Sequence, residues 1–220
     1  SDLARLASIM GIPMIYVFTH DSIGVGEDGP THEPVEQAAM FRAMPNFNLW
    51  RPADAMETNA AWYAALTSEK TPSALALTRQ NLPQLSGSSK EALKGGYILE
   101  DSEKETPDAI IIATGSEVQL AVEARAALKA EGIDVRVVSL PCMDVFEAQD
   151  EAYKESILPK CVTKRVGVEA LSEFGWGKYI GLEGRFIGMK SFGASAPNAL
   201  LFRHFGITAD NVVRAVKEIL

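Results

Sequence analysis

The sequence predicts an α/β protein built as two successive units, each a mostly parallel sheet under helical cover. Three observations carry that expectation. Helical and strand patterns alternate from the start of the chain to about residue 80. A small, polar run, Gln84-Leu85-Ser86-Gly87-Ser88-Ser89-Lys90, then interrupts the alternation as a flexible linker would. Beyond it a second alternation opens with Ala109-Ile110-Ile111-Ile112-Ala113-Thr114, which reads as a strand buried on both faces.

A first helix is expected over Asp2 to Met10, with Leu3, Leu6, Ala7 and Met10 in its pattern and Gly11 and Pro13 as stop signals. The pattern is already running at Ser1, which reads as a polypeptide cut inside a domain. Met14 to Phe18 is an apolar strand, and a long polar loop follows. The next helix is expected from about Pro34 to Met44, because proline's missing N–H has no helical partner in a first turn anyway. Phe47 to Trp50 reads as a short strand, Asp54-Ala55-Met56-Glu57 as a capping box opening a helix through Leu66, and Ser73 to Thr78 as the next strand. In the second unit Gly115-Ser116 turns the buried strand into a helix through Leu128. A strand over Val135 to Leu140 stops at Pro141. Arg165 to Glu169 and Gly188 to Gly193 read as further strands. Thr208 caps a terminal helix with Val212, Val213, Val216 and Ile219 on one stripe.

Composition narrows the function classes. Of 220 residues, 47% are hydrophobic and 23% charged, an ordinary globular balance. No apolar run is long enough for a bilayer and no basic-then-apolar leader opens the chain, so a cytoplasmic location is expected. A net charge of -8 with dispersed signs argues against a nucleic-acid surface. An anionic ligand therefore needs locally placed Arg, His or helix N-termini. Cys142 and Cys161 have neither metal nor disulfide-framework spacing and are expected to be reduced and largely buried.

The loop from Thr19 to Pro34 concentrates the titratable chemistry. It holds His20 and His32, two of the three histidines, with Asp21, Glu27, Asp28, Glu33 and three glycines. A metal site is one reading, although no metal-ligand spacing appears. A connecting loop with solvated acids is another. A polar substrate site is the third: imidazoles donate to oxyanions or shuttle protons near neutral pH, and a carboxylate accepts from a hydroxyl. In a parallel sheet, ligands collect beyond the carboxyl ends of the strands. His20 follows one such strand and Arg79 another, so both can face one crevice. A guanidinium there clamps a phosphate or carboxylate with paired hydrogen bonds; a solvated strand-end charge is the plain alternative. Gly115-Ser116 lacks a phosphate-loop pattern and reads as an ordinary turn. Glu169, Trp176 and His204 read as packing or surface residues.

The loop Thr19 to Glu36, with His20-Asp21-Ser22-Ile23-Gly24 and Gly26-Glu27-Asp28-Gly29-Pro30-Thr31-His32, closely resembles the substrate loop of bacterial-type transketolases. Thr78-Arg79-Gln80-Asn81-Leu82-Pro83 resembles that family's strand-end arginine motif. Ala113 to Val118 and Ser139 to Phe146 resemble its C-terminal domain. The resemblance implies two three-layer α/β/α units with mostly parallel sheets, the first one incomplete: half of a pyrimidine-binding domain over residues 1–83, a linker over 84–92 and a C-terminal domain over 93–220. It implies transfer of a two-carbon ketol unit from a ketose phosphate to an aldose phosphate, in the pentose phosphate pathway. His20 and Arg79 would hold the phosphate, Asp28 would accept from a substrate hydroxyl, and His32 would serve the carbonyl oxygen and the proton as the catalytic group. The same resemblance implies thiamine diphosphate with Mg (or Ca) in the complete enzyme. By that resemblance their binding residues are expected upstream of Ser1, with no metal ligand expected here. Sugar phosphates and a second copy in a homodimer are the expected partners. The isolated chain is expected to be inactive. The alternatives are another thiamine diphosphate enzyme, such as a deoxyxylulose phosphate synthase, or a non-catalytic dimerisation or binding module of the same fold.

Overall fold

The structure, a computed structural model, describes residues 2–220; Ser1, where the cut-domain reading begins, lies outside them. Its first sheet is built from α1 (Asp2–Met10), β1 (Ile15–Thr19), α2 (Gln37–Arg42), β2 (Asn48–Trp50), α3 (Ala55–Thr67) and β3 (Ser73–Leu77). Strand order is β1-β3-β2, all parallel, with Thr19 beside Leu77 and Trp50 beside Leu75. One face packs Phe47, Leu49 and Ala74 against Ala4 of α1 and Ala38 of α2. The other packs Trp50 and Leu75 against Ala61 and Ala65 of α3. The period-2 and period-3.6 apolar patterns thus close into three layers.

The second sheet follows with β4 (Tyr97–Glu100), β5 (Ala109–Ala113), α4 (Val118–Ala130), β6 (Val135–Ser139), α5 (Met143–Glu147), α6 (Glu151–Ile157), β7 (Arg165–Ser172), α7 (Gly177–Ile180), β8 (Arg185–Met189), α8 (Asn198–His204) and α9 (Ala209–Ile219). Its order is β4-β6-β5-β7-β8, with β4 antiparallel on one edge and the other pairs parallel. Ile111, Val137 and Val166 face Ala121, Leu128, Val212 and Val216 of α4 and α9. Ile110, Ile112 and Val138 face Phe146, Ile157 and Tyr179 of α5 to α7. The winding direction reverses between β5 and β7, the place where open α/β sheets form a crevice.

The α/β class with mostly parallel sheets is therefore observed, and the departures have local causes. Helix α2 starts at Gln37, not Pro34. The carbonyl of Val35 accepts from Ser172 N–H at 2.8 Å, and its N–H donates to the Gln37 side chain at 2.9 Å, so both backbone groups of Val35 are engaged outside the helix. The last strand is Arg185–Met189; Lys190 to Phe192 leave the sheet into solvent. Strand β4 and the short helices α5 to α8 escaped a reading based on long periodic runs. Cys142 is buried as expected, whereas Cys161 is exposed.

Strand β1 is an edge, and Met14, Val17 and Phe18 join Leu3, Leu6, Ile9 and Met10 of α1 as exposed apolar side chains. The two sheets are also pinned together by buried polar bonds. Among the described residues no helix is long and apolar enough to cross a membrane.

Candidate functional site

The site begins where β1 ends. His20 follows Thr19 directly and turns the chain out of the sheet with φ +65°. A left-handed residue other than glycine costs roughly 1–2 kcal/mol, so neighbouring contacts must hold it. Ser22 then caps a single 3-10 turn over Ile23–Val25, its Oγ accepting from Gly24 N–H at 3.2 Å. Gly24 abuts the Gln80 side chain so closely that a Cβ there would lie 2.3 Å from Gln80 Oε1. Glycine at 24 thus lets the His20 loop pack against the turn that carries Arg79. Gly26 and Gly29, at φ +91° and +81°, make the two further reversals that bring the loop back, and the N–H of His32 donates to Gly29 O at 3.0 Å.

This path converges His20, Asp28 and His32 on one cavity of about 690 Å³ at the carboxyl end of the first sheet. Phe18, Phe41, Leu49 and Leu171 form its apolar wall, and all three polar side chains are exposed at its mouth. His20 Nδ1 lies 2.9 Å from Thr19 Oγ1 and His32 Nδ1 lies 3.0 Å from Thr31 Oγ1, which leaves each Nε2 for a ligand. Glu33 turns inward instead, packed against Gly193, where a Cβ would lie 1.6 Å from Glu33 Oε2; burial pushes its carboxyl up. The loop is further tied by Ser195 Oγ, which donates to Glu27 O at 2.6 Å.

Arg79 is not part of the cavity wall. It stands exposed just past β3, with no hydrogen bond or ion pair among the described residues, on the strand that neighbours β1. Parallel register sets Thr19 beside Leu77, so Arg79 emerges one residue past the level of His20. The metal reading of the loop finds no support: among the described residues no group of three or more His, Cys, Asp or Glu is arranged to hold an ion.

Sequence reasoning missed what lies behind the cavity. Arg51, fully buried, donates from Nε to Asp21 Oδ2 at 2.8 Å and from Nη1 to both Thr114 oxygens at 3.0 Å and to Glu117 Oε2. Arg42 takes Glu169 in a two-pronged contact at 2.8 and 2.6 Å, while Trp176 Nε1 donates to the same carboxylate at 2.8 Å. Glu169 pays for its burial through these partners: the Arg42 guanidinium, with Arg51 and Thr114, holds its carboxyl down at about 2. Glu117 goes the other way, since its desolvation outweighs Arg51. A signal for this array existed. Arg51 follows β2 just as Arg79 follows β3, an arginine at the end of an apolar strand.

With that geometry in hand, likeness to known proteins becomes informative. Residues 1–84 match the family model described as transketolase, pyrimidine binding domain, and residues 95–208 match that of the transketolase-like C-terminal domain. A transketolase of Bacillus subtilis is 57% identical over 220 residues, covering 98% of this chain and 33% of that protein. Among solved structures, a transketolase from Leishmania mexicana superposes with a TM-score of 0.94 at 49% identity, covering 99% of this chain and 32% of that one. A Pichia stipitis transketolase in complex with sedoheptulose 7-phosphate gives 0.93 at 50% identity, again over 99% and 32%. The chain spans about a third of the length of the relatives it matches.

Proposed function

The chain belongs to the transketolase family, and from that premise we propose that it is the carboxyl-terminal third of an enzyme that moves a two-carbon ketol unit from a ketose phosphate to an aldose phosphate, in the pentose phosphate pathway. The observation that carries the reading is the convergence of His20, Asp28 and His32 on one cavity beyond the strand ends. A similar solved transketolase is a complex with sedoheptulose 7-phosphate, and His20, Asp28 and His32 are the kinds of polar group that a phosphorylated sugar requires.

In this reading Arg79 and His20, emerging from neighbouring strands, hold the phosphate. The guanidinium supplies two parallel N–H donors, and the imidazole adds a third. Asp28, exposed at the cavity mouth, accepts from a substrate hydroxyl and so selects its stereochemistry. His32 donates to the carbonyl oxygen and moves a proton as the carbon–carbon bond is made or broken. The apolar wall of Phe18, Phe41 and Leu49 excludes water from the reacting carbons. Thiamine diphosphate with a divalent metal supplies the electron sink in the complete enzyme. The described residues do not fit the metal, since no acidic or histidine cluster is present to hold it, and no step is assigned to them through it.

The division into residues 1–83, a linker over 84–92 and residues 93–220 belongs to the same proposal. So do a homodimer, a cytoplasmic location and the silence of this chain on its own. The uncovered apolar side chains of α1 and β1 favour a further layer of the longer protein lying there. The test is ketol transfer by the full-length enzyme carrying Arg79→Ala. Losing a charge-assisted two-pronged contact costs about 1.5–3 kcal/mol, so KM for a phosphorylated ketose should rise roughly ten- to hundred-fold. KM for an unphosphorylated ketose should stay within about twofold. Equal loss on both substrates would remove Arg79 from the phosphate, and transfer by the chain alone, supplied with cofactor and magnesium, would refute its silence.

A further inference from the structure

We propose that Arg51 is a positioning residue for the sugar-phosphate cavity: seated at the winding reversal of the second sheet, it grips Asp21 and thereby keeps His20 turned toward the cavity mouth. The proposal rests on the reading of His20 as a phosphate ligand, and it gives the second sheet a part in a site it does not line with its own ionisable groups.

The crevice between the carboxyl ends of β5 and β7 is where such a sheet ordinarily takes a ligand. Here it is filled from the first sheet. Thr114 and Glu117 follow β5, Glu169 lies on β7, and the Arg51 guanidinium lies among them with no exposed side-chain surface. Gly115, at φ +55°, makes room: a Cβ there would lie 2.7 Å from Arg51 Cζ. The backbone is fixed as well, with Arg51 N–H donating to Pro141 O at 2.8 Å and Gly115 N–H to Arg51 O at 3.0 Å. Glu117 is itself anchored, accepting from Ala170 N–H at 2.8 Å.

Charge sorting gives the array a direction. Arg42 takes up Glu169, so Glu117 is left to Arg51. A second donor of Arg51, its Nε–H, reaches Asp21, whose side chain is only 2% exposed and lines the cavity. Asp21 is covalently next to His20, the residue in the left-handed conformation. A buried array of this kind adds little to stability compared with apolar packing. What it does supply is fixed geometry, and the strained residue sits at its one end that meets the cavity.

Two variants separate positioning from mere support. Arg51→Lys keeps the charge but cannot fork between Asp21 and Glu117. Asp21→Ala removes the acceptor together with the charge and leaves Arg51 paired with Glu117. In the isotopically labelled chain, the one-bond Cα–Hα coupling and Cα shift of His20 report its left-handed backbone without any substrate. Both variants should shift that signature toward ordinary values, while amide signals of β5 to β8 stay in place. Retention of the left-handed signature in folded Asp21→Ala overturns the proposal, whether or not Arg51→Lys folds. In the full-length enzyme Asp21→Ala should raise KM for a phosphorylated ketose about tenfold, with kcat and KM for its unphosphorylated counterpart within about twofold. Equal losses on both substrates would again overturn it. If His20→Ala leaves KM for the phosphorylated ketose unmoved, the phosphate reading of His20 fails, and the spectroscopic result on Arg51 stands or falls by itself.

Discussion

His20 shows how much a single residue carries. Its backbone lies at φ +65°, where a Cβ crowds the following carbonyl and glycine does not suffer. The chain therefore accepts strain to keep an imidazole at this point. His20→Gly should stabilise the folded protein by about 0.5–1 kcal/mol, the relief of strain exceeding the extra flexibility glycine gives the unfolded chain. On the proposed reading of His20 as a phosphate ligand, the same change should also weaken binding of a sugar phosphate. Urea unfolding of the chain measures the first effect. An unchanged or lowered midpoint would mean that the left-handed turn is not strained. Histidine, aspartate and arginine were legible as candidate ligands because their types and their places after strands match what an anionic polyol needs. The turn itself was not legible, since nothing local in Thr19-His20-Asp21 demands a positive φ. In the proposed arrangement that demand comes from Arg51, 31 positions from His20 and just past the end of another strand (51 minus 20).

At the scale of elements, the parts with strong local signals formed as read, and those set by distant contacts did not. Asp54 caps α3 through Glu57 N–H at 3.0 Å, as the capping box implied. It does more than the motif announces. The same carboxylate accepts from Gln84 Nε2 at 2.6 Å, Leu85 N–H at 3.1 Å and Ser88 Oγ at 3.0 Å, pulling a stretch read as a flexible linker onto the helix start. A cap alone is worth about 1 kcal/mol; with three further donors stranded, Asp54→Ala should cost about 2–4 kcal/mol. Asp54→Asn, which keeps an acceptor oxygen, should cost less than half of that. Chemical denaturation of both variants checks the ratio, and near-equal losses would mean that the cap dominates after all. Helix α2 illustrates the opposite case. Pro34 is a sound local signal, but the bond from Ser172 to Val35 overrides it. No reading of residues 34–44 in isolation contains that partner.

Over the whole molecule, the two sheets are joined where α3 carries a carboxyl group into the second. Glu57 is fully buried, and its oxygens accept from Ala53 N–H at 2.7 Å, Tyr97 O–H at 2.9 Å and Ser139 Oγ at 2.6 Å. Among the described residues no cation pairs with it, so burial pushes its proton affinity up to about 7, from an ordinary value of 4.5. Between those values the folded protein binds a proton that the unfolded chain has released. The stabilisation is complete below about pH 4.5 and is lost as pH rises through about 7, at up to about 1.4 kcal/mol per pH unit. Asp144, pushed up to about 6 by burial, adds a loss of the same sign. Glu169, held down at about 2, acts in the opposite direction and only in stronger acid, its contribution vanishing as pH falls from about 4.5 to 2. Glu57→Gln keeps the group neutral at every pH and should flatten the decline between pH 5 and 7, leaving the losses from Asp144, Glu33 and Glu117, whose carboxyls burial also pushes up. At pH 8 the variant should be the more stable protein, because the wild type must bury an ionised carboxylate between its sheets. Denaturation midpoints of both proteins at pH 5 and pH 8 decide the matter. A wild type as stable at pH 8 as at pH 5 would mean that Glu57 ionises freely, and that the contact between the sheets is wetter than its hydrogen bonds imply.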